Sequence, residues 1–284
     1  MDVSVIVPVY KGRKYIPVIQ DSILANVDFS NAQGCCLDVE LLFVNDYPEE
    51  RIEVRKDESY QVEVLVNREN CGIHQSRVNG LDKAKGKYIL FLDQDDEITS
   101  NHLYSQLMVI GDNDIVVGNG YRGEKGKYRK IYRSIKKQKL TCKETIYLKA
   151  ANQIVSPGQC LIKKSSIPSA WKNNIIKDNG GDDLFLWLLM FENNRKFGIN
   201  PECIYKHVDT GVNLSNDLDI MYRSSDNLIS LAEKNGVLKE KTLYLYRRRI
   251  DYLKTVHECK GIKVLISSLL NLDICIAKLY AYFR

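Results

Sequence analysis

Short apolar runs alternate with amphipathic stretches over the first 120 residues of the chain. Five runs rich in β-branched and aliphatic residues predict buried strands. They are Val3–Val9, Val39–Val44, Val62–Val66, Tyr88–Leu92 and Asp114–Val117. Apolar residues at helical spacing predict helices over residues 14–27 and 72–85, the second followed by Gly86. Strands that alternate with helices indicate an α/β fold with a parallel sheet.

Polar clusters follow four of these strands, beginning at Tyr10, Asn45, Asn67 and Asp93. Ligands of parallel α/β sheets bind at the carboxyl ends of the strands. The pattern therefore predicts a nucleotide site at this edge. From about residue 216 onward the chain is helical and basic in pattern, without further strand signals.

The composition is that of a folded globular protein, with 284 residues, 44% hydrophobic and 27% charged. No stretch approaches 18 uncharged apolar residues, and the N-terminal apolar run has no basic region before it. We therefore expect neither a membrane span nor a signal peptide, and a cytoplasmic location. The eight cysteines are irregularly spaced without a C-x-x-C pair, which predicts small buried hydrophobes rather than disulfides or a zinc site.

The net charge of +5 is unevenly distributed. Residues 122–149 contain eleven Lys or Arg against two Glu, and residues 222–284 contain twelve against six Asp or Glu. Such stretches favour a phosphate-bearing partner or an anionic membrane surface. The alternative is that they form ordinary solvated faces.

Asp93-Gln-Asp-Asp96 places three carboxylates at the end of a predicted strand. Their mutual repulsion favours a bound cation, and oxygen ligands suit Mg²⁺ or Mn²⁺. A solvated acidic turn is the alternative. His207 is a candidate to complete the metal shell, although a lone histidine is more often structural.

Asp182 and Asp183 precede the apolar run Leu184–Phe191 and predict the start of a buried helix. One of them is then a candidate general base at the mouth of a pocket. Gly118–Gly123 matches G-x-G-x-x-G, but no apolar helix follows it, so we interpret the match as a coincidence.

In this order, the motifs resemble those of glycosyltransferase family 2, which has the GT-A fold. The matching segments are Val3–Tyr10, Glu40–Asp46, Asn70–Gly72, Ser76–Arg77, Asn79–Leu81, Ala84–Asp93, Asp93–Asp96 and Gly181–Leu184. Two departures are that Asn45-Asp46 replaces the usual Asp-Asp and that Gly181 replaces a glutamate. The resemblance covers residues 2–215. It implies a GT-A domain over residues 1–215, with a nucleotide-sugar half (1–100) and an acceptor half (101–215), and a helical extension over 216–284.

The resemblance implies inverting transfer from a nucleotide-sugar, most often a UDP-sugar, with Asp182 as the catalytic base. It places the metal, Mn²⁺ or Mg²⁺, at Asp95 with Asp93 or Asp96 nearby. The expected nucleotide-sugar contacts are Pro8, Val9, Tyr10, Asp46, Arg77, Asp93, Gln94 and Asp95.

The expected acceptor is a saccharide, carried on a polyprenyl diphosphate in our hypothesis, for synthesis of capsule, O-antigen or another surface glycan. Residues 222–284 would then dock on the inner face of the plasma membrane. The alternative is that these helices only cover the transferase domain. No nucleic acid is expected as a partner. Two other classes stay open, a nucleotidyltransferase and a non-catalytic nucleotide-sugar-binding module.

Overall fold

The computed structural model describes residues 1–124, 126–178, 180–209 and 217–283. Within these residues nine strands form one sheet: β1 (Val3–Val9), β2 (Val39–Asn45), β3 (Gln61–Val66), β4 (Tyr88–Phe91), β5 (Glu97–Ile98), β6 (Ile115–Glu124), β7 (Lys127–Lys130), β8 (Cys160–Lys163) and β9 (Phe197–Val208). The helices are α1 (Ile16–Ala32), α2 (Gly72–Lys83), α3 (His102–Ile110), α4 (Ile135–Gln138), α5 (Glu144–Lys149), α6 (Ser169–Asn173), α7 (Asp182–Glu192), α8 (Leu218–Asn235), α9 (Glu240–Glu258), α10 (Ile262–Leu270) and α11 (Leu272–Phe283). Short 3₁₀ helices lie at Arg13–Tyr15, Lys139–Cys142, Pro157–Gln159 and Lys164–Ser166.

The sheet has the spatial order β3-β2-β1-β4-β8-β6-β9-β5, and β7 pairs with β6. Strands β1 to β4 are parallel, which confirms the prediction for the N-terminal half. Strand β8, which the sequence pattern did not predict, runs antiparallel to both β4 and β6, so the predicted strand β6 points in the same direction as β1 to β4. Strand β9 is parallel to β6 and antiparallel to β5. The whole sheet is therefore mixed.

Two apolar clusters form the core, one on each face of the sheet. Every residue of β1 is buried, and alternate residues point to opposite faces. Val5 and Val7 belong to the cluster that includes Ile19 and Ile23 of α1, whereas Ile6 belongs to the cluster built around α7. The nearly all-apolar pattern of the first strand is explained by this burial on both sides.

Helices α8 and α9 belong to the same core as the sheet. Leu228, Tyr246 and Ile250 are buried in the cluster that contains α7. Helices α10 and α11 differ, because they bury only Ile274 and Ala281. The predicted helical character of the C-terminal segment is confirmed over 218–283, while the predicted domain boundary at residue 215 lies outside the described residues. None of the helices in the described ranges combines the length and apolar character needed to cross a membrane.

The eight cysteines are all free, as the irregular spacing predicted. The expectation that they are buried is confirmed only for Cys160, which lies in β8. Cys36 is exposed and the other six are partly exposed; Cys203 lies within β9, and the rest lie in loops, at element ends or on α11.

Candidate active site

The carboxyl ends of β1, β2 and β4 meet at one edge of the sheet, because these three strands are parallel. Tyr10, Asp46 and Asp93 follow these strands and come together there. The backbone N–H of Asp46 donates to the carbonyl of Val9 at 2.8 Å, which keeps the ends of β1 and β2 in register. The polar clusters that the sequence predicted to converge therefore do so.

Gln94 of the acidic motif is bonded to the loop after β1. Its Oε1 accepts from the backbone N–H of Tyr10 at 3.1 Å, and its Nε2 donates to the Tyr10 carbonyl at 3.2 Å. A Cβ at Gly12 would lie 2.0 Å from Gln94 Oε1, so glycine gives this amide its space. The two loops thus form one wall of the site.

Tyr10 is the exposed member of the predicted nucleotide-base slot, at 43%. Its ring stands edge-on to Tyr47, with 5.5 Å between centroids, and Lys11 Nζ lies 5.3 Å and 5.0 Å from the two ring centroids. Pro8 and Val9 lie in the fully buried β1, so their side chains are buried in the core of the domain. Lys11 and Tyr47 were not predicted, since neither belongs to a motif that signals a base slot.

Asp46 is buried against the start of α2. Its Oδ1 accepts from Asn67 Nδ2 and the backbone N–H of Cys71, both at 2.8 Å. Its Oδ2 accepts from the backbone N–H of Gly72 at 2.9 Å. The structure therefore uses both carboxylate oxygens of this predicted nucleotide contact to fix the amino end of a helix.

Arg77 of α2 joins the acidic motif to the start of α7. Its side chain is 3% exposed; Nη1 donates to Asp182 Oδ2 at 2.5 Å and Nη2 donates to Asp93 Oδ1. Burial lowers the pKa of Arg77, but the two carboxylates outweigh burial and raise it overall. Ser156 Oγ donates to the other oxygen of Asp93 at 3.0 Å. Asp93 and Asp182, 89 residues apart in sequence, are thus held by one guanidinium.

Asp182 and Asp183 occupy the first turn of α7. Asp182 is 3% exposed, and its backbone carbonyl accepts from Trp171 Nε1 at 2.8 Å. Asp183 is half-buried, and Asn152 Nδ2 donates to its Oδ2 at 2.9 Å. Burial, followed by the charge of Asp182, raises the pKa of Asp183 to about 7. A carboxylate with this pKa is well matched to proton abstraction near neutral pH.

Asp96 is bonded to two side chains of β9. Its Oδ1 lies 2.9 Å from His207 Nδ1, and the hydroxyl of Tyr205 donates to its Oδ2. Burial lowers the pKa of His207, but the Asp96 carboxylate outweighs burial and raises it overall. The structure therefore brings His207 to the acidic motif through contact with Asp96, and its role as a metal ligand stays a prediction. Tyr205 and Ser156 were not predicted, because no local pattern links them to the motif.

Asp95 differs from its two neighbours, because no basic side chain in the described ranges forms an ion pair with it. Burial, and then the charges of Asp96 and Asp93, raise the pKa of Asp95 to about 6. A divalent cation would relieve this repulsion. Across the described residues, no three His, Cys, Asp or Glu side chains are arranged to hold a metal by themselves. The residues fit a cation of the Mg²⁺ type, which proteins often hold by one or two carboxylates together with substrate phosphates.

Comparison with known proteins agrees with this geometry. The family model described as "Glycosyl transferase family 2" matches residues 4–168. An uncharacterized glycosyltransferase of Haemophilus influenzae is 32% identical over 110 residues, which are 39% of this chain and 35% of that protein. The minor teichoic acid biosynthesis protein GgaB of Bacillus subtilis is 32% identical over 103 residues, 34% of this chain and 11% of that protein. The match therefore spans about a third, or less, of the length of these relatives.

Solved structures of S. aureus TarS 1–349 share the fold. The complex with UDP has a TM-score of 0.54 at 19% identity, covering 88% of this chain and 71% of that one. The complex with UDP-GlcNAc has a TM-score of 0.58 at 16% identity, covering 98% and 81%. At these identities the likeness concerns the fold alone.

Proposed function

The chain belongs to glycosyltransferase family 2, and from this premise we propose that it transfers a sugar from a UDP-sugar to a hydroxyl of a saccharide acceptor with inversion. The observation that carries the proposal is the convergence of Asp95 and the Asp182–Asp183 pair at one edge of the sheet, connected through Arg77 and Asp93. A leaving diphosphate and an attacking hydroxyl need these two kinds of group close together.

The departing nucleoside diphosphate gains negative charge as the bond between its terminal phosphate oxygen and C1 of the sugar breaks. Mn²⁺ or Mg²⁺ held by Asp95, with Asp93 and Asp96 beside it, would neutralise that charge. Arg77 and Ser156 hold Asp93 in position, while His207 and Tyr205 hold Asp96. Tyr10, with Gln94 bonded to its backbone, provides the exposed ring for the nucleotide base.

The acceptor hydroxyl loses a proton as it attacks C1 of the sugar, and the aspartate pair of α7 is placed to receive it. Asp182 is the base that family resemblance implies, but its Oδ2 is bound to buried Arg77. Asp183 is more exposed, and its pKa is raised to about 7. We therefore assign proton abstraction to Asp183 and the positioning of Arg77 to Asp182.

The acceptor belongs to surface-glycan synthesis in this proposal, and a lipid-diphosphate-linked saccharide remains our hypothesis for it. One relative in sequence is named for minor teichoic acid biosynthesis. A structural neighbour was solved with UDP and with UDP-GlcNAc, which supports UDP as the donor nucleotide.

Isothermal titration with UDP tests the donor site. We expect the binding of UDP in Mn²⁺ to weaken at least tenfold when EDTA is added, and also in the Asp95→Asn variant. A tenfold loss corresponds to about 1.4 kcal/mol of binding free energy. Glu97→Gln is the matched control, since Glu97 directly follows the motif at the start of β5 but its carboxylate pairs with Lys206. Equal affinity in EDTA would contradict the metal requirement. Absence of UDP binding, with binding of GDP or dTDP, would contradict the choice of nucleotide.

A further inference from the structure

Helices α10 and α11 leave a large apolar surface uncovered. Ten of their large apolar side chains are more than half exposed: Ile262, Leu265, Ile266, Leu269, Leu270, Leu272, Ile276, Leu279, Tyr282 and Phe283. Exposed apolar residues in the rest of the described chain are scattered over many elements. Contiguous exposed apolar surface is characteristic of a contact site.

The exposed apolar side chains follow one another along the two helices, which only Asn271 separates in the chain. On α10 they follow the helical spacing of Ile262, Leu265, Ile266 and Leu269. On α11, Ile276, Leu279, Tyr280 and Phe283 line a shallow apolar depression. We call this surface, from 262 to 283, the C-terminal apolar face.

The opposite side of α11 is attached to the folded domain. Ala281 packs with Leu140, Ile146 and Ala150, and Ile274 is buried. The helix therefore packs against the domain through Ile274 and Ala281, while its other large apolar side chains stay uncovered.

The two basic stretches of the sequence meet beside this face. Lys143 Nζ lies 5.6 Å from the ring centroid of Tyr280, and Lys137 Nζ donates to the Ala281 carbonyl. Lys136 and Lys139 lie next to these contacts in the chain and are exposed. Lys260, Lys263 and Lys278 are also exposed, on or directly before α10 and on α11.

Acidic charge is nearly absent from this part of the chain. Asp273 is the one acidic residue in the sequence from 259 to 284. Its carboxylate is paired with Lys149 at 2.8 Å and with Arg248. The lysines that border the C-terminal apolar face are therefore not neutralised by Asp273, which is paired with other basic side chains.

We propose that the C-terminal apolar face binds an anionic lipid bilayer, with α10 and α11 lying in the headgroup layer. Their lengths of 9 and 12 residues are too short to cross a bilayer but suit this position. Apolar residues enter the acyl boundary, and the bordering lysines meet lipid phosphates. A symmetric pair of chains would instead bring the same lysines against one another, which disfavours a second copy as the occupant.

Vesicle flotation of the full chain tests this proposal without any measurement of activity. We expect the protein to bind phosphatidylglycerol-containing vesicles at least tenfold more strongly than pure phosphatidylcholine vesicles, since the exposed lysines beside the face are attracted to an anionic surface. The double variant Leu269→Glu/Leu279→Glu should lose binding at least tenfold. Val18→Glu/Met108→Glu is the matched control, because these side chains are 59% and 58% exposed on α1 and α3, and it should bind like the parent chain.

A triple variant, Lys136→Gln/Lys139→Gln/Lys143→Gln, separates the charged from the apolar contribution. We expect this variant to lose most of the preference for anionic vesicles. The parent chain should lose the same preference in high salt, which screens the charges. Binding by the Leu269→Glu/Leu279→Glu variant equal to that of the parent chain would overturn the proposal. The proposal would also be overturned if the parent chain failed to bind vesicles and instead formed a dimer, detected by light scattering, that the same variant abolishes.

Discussion

Arg77 determines whether two buried carboxylates of the site have a partner. Replacement by Met would leave Asp93 and Asp182 facing each other without the guanidinium that now bonds both. Breaking a buried ion pair from one side costs about 3–5 kcal/mol. We expect Arg77→Met to lower the free energy of unfolding by this amount in urea denaturation.

Arg77→Lys is the control for this effect, because it keeps the charge but cannot bond two carboxylates with one planar group. It should recover only part of the lost stability. A loss below about 1 kcal/mol in Arg77→Met, within the range of an exposed ion pair, would contradict the importance of the bridge.

Asp183 should set the pH dependence of the reaction. Because a base must be deprotonated, and the pKa of Asp183 is raised to about 7, kcat/KM should rise with pH through about 7 and then level off. Asp183→Asn should lower kcat about 10²–10⁴-fold and remove this rise. The measurement is a pH series of kcat/KM with a UDP-sugar.

Asp182→Asn provides the comparison, because Asp182 is bonded to Arg77 in the buried bridge. It should lower stability while keeping the rise of kcat/KM with pH. The reverse pattern, in which Asp182→Asn removes the rise and Asp183→Asn keeps it, would return the role of base to Asp182.

The sequence predicted these aspartates but not their partners. The acidic motif and the start of α7 are visible because each is a local pattern, charge at the end of a strand or before an apolar run. The bridge from Arg77 joins residues 105 positions apart, and Tyr205 reaches Asp96 across 109. Such pairings depend on which helices and strands become neighbours, and no local spacing encodes that choice.

At the level of elements, β1 to β4 were predicted within one residue, whereas β6 was predicted only over its first residues and β8 and β9 were not predicted. Strand β8 has only four residues, and β9 contains Pro201 and Glu202 within a run of mixed polarity. Its pairing with β6 shifts register around Asn119. Hydrophobic periodicity detects long regular strands and fails where a bulge changes the alternation.

Gly120 explains one of the glycines of β6 by the close approach of the neighbouring strand. A Cβ there would lie 2.1 Å from the backbone carbonyl oxygen of Tyr205, in the neighbouring β9. The sequence interpretation that Gly118–Gly123 is no phosphate loop is confirmed, since the segment lies within a strand. We expect Gly120→Ala to lower the free energy of unfolding by about 3 kcal/mol, because only backbone movement removes this clash.

Urea denaturation of Gly34→Ala gives the control. Gly34 has open space around it and a φ of +76°, so its alanine variant has only the left-handed backbone penalty of about 1 kcal/mol. An unfolding free energy of Gly120→Ala equal to that of the parent chain would show that β9 moves aside without cost.

At the scale of the whole molecule, the C-terminal helices divide into two groups with different roles. Helices α8 and α9 complete the core that contains α7, so they belong to the folded domain. Helices α10 and α11 contribute little to burial. The sequence predicted one helical extension because both groups are basic and helical, and only packing distinguishes them.

Two shortened chains would check this division. A chain ending at residue 259 should still unfold cooperatively, with a loss of about 2–4 kcal/mol from the exposure of the surfaces around Ile274 and Ala281. A chain ending at residue 217 should lose cooperative unfolding, because Leu228, Tyr246 and Ile250 no longer cover the core. Unfolding in urea is measured by circular dichroism. Cooperative unfolding of the chain that ends at residue 217 would contradict the assignment of α8 and α9 to the core.

The bridge from Arg77 to Asp93 and Asp182 also has an evolutionary consequence. These three positions, spread over 105 residues, are expected to change together. A neutral residue at one of them leaves a buried charge at another without its ion-pair partner. Among descendants of this sequence, loss of Arg77 should be accompanied by neutral residues at both aspartates. A lineage that keeps the Asp93 carboxylate would therefore also keep Arg77, even though solvent scarcely reaches that side chain.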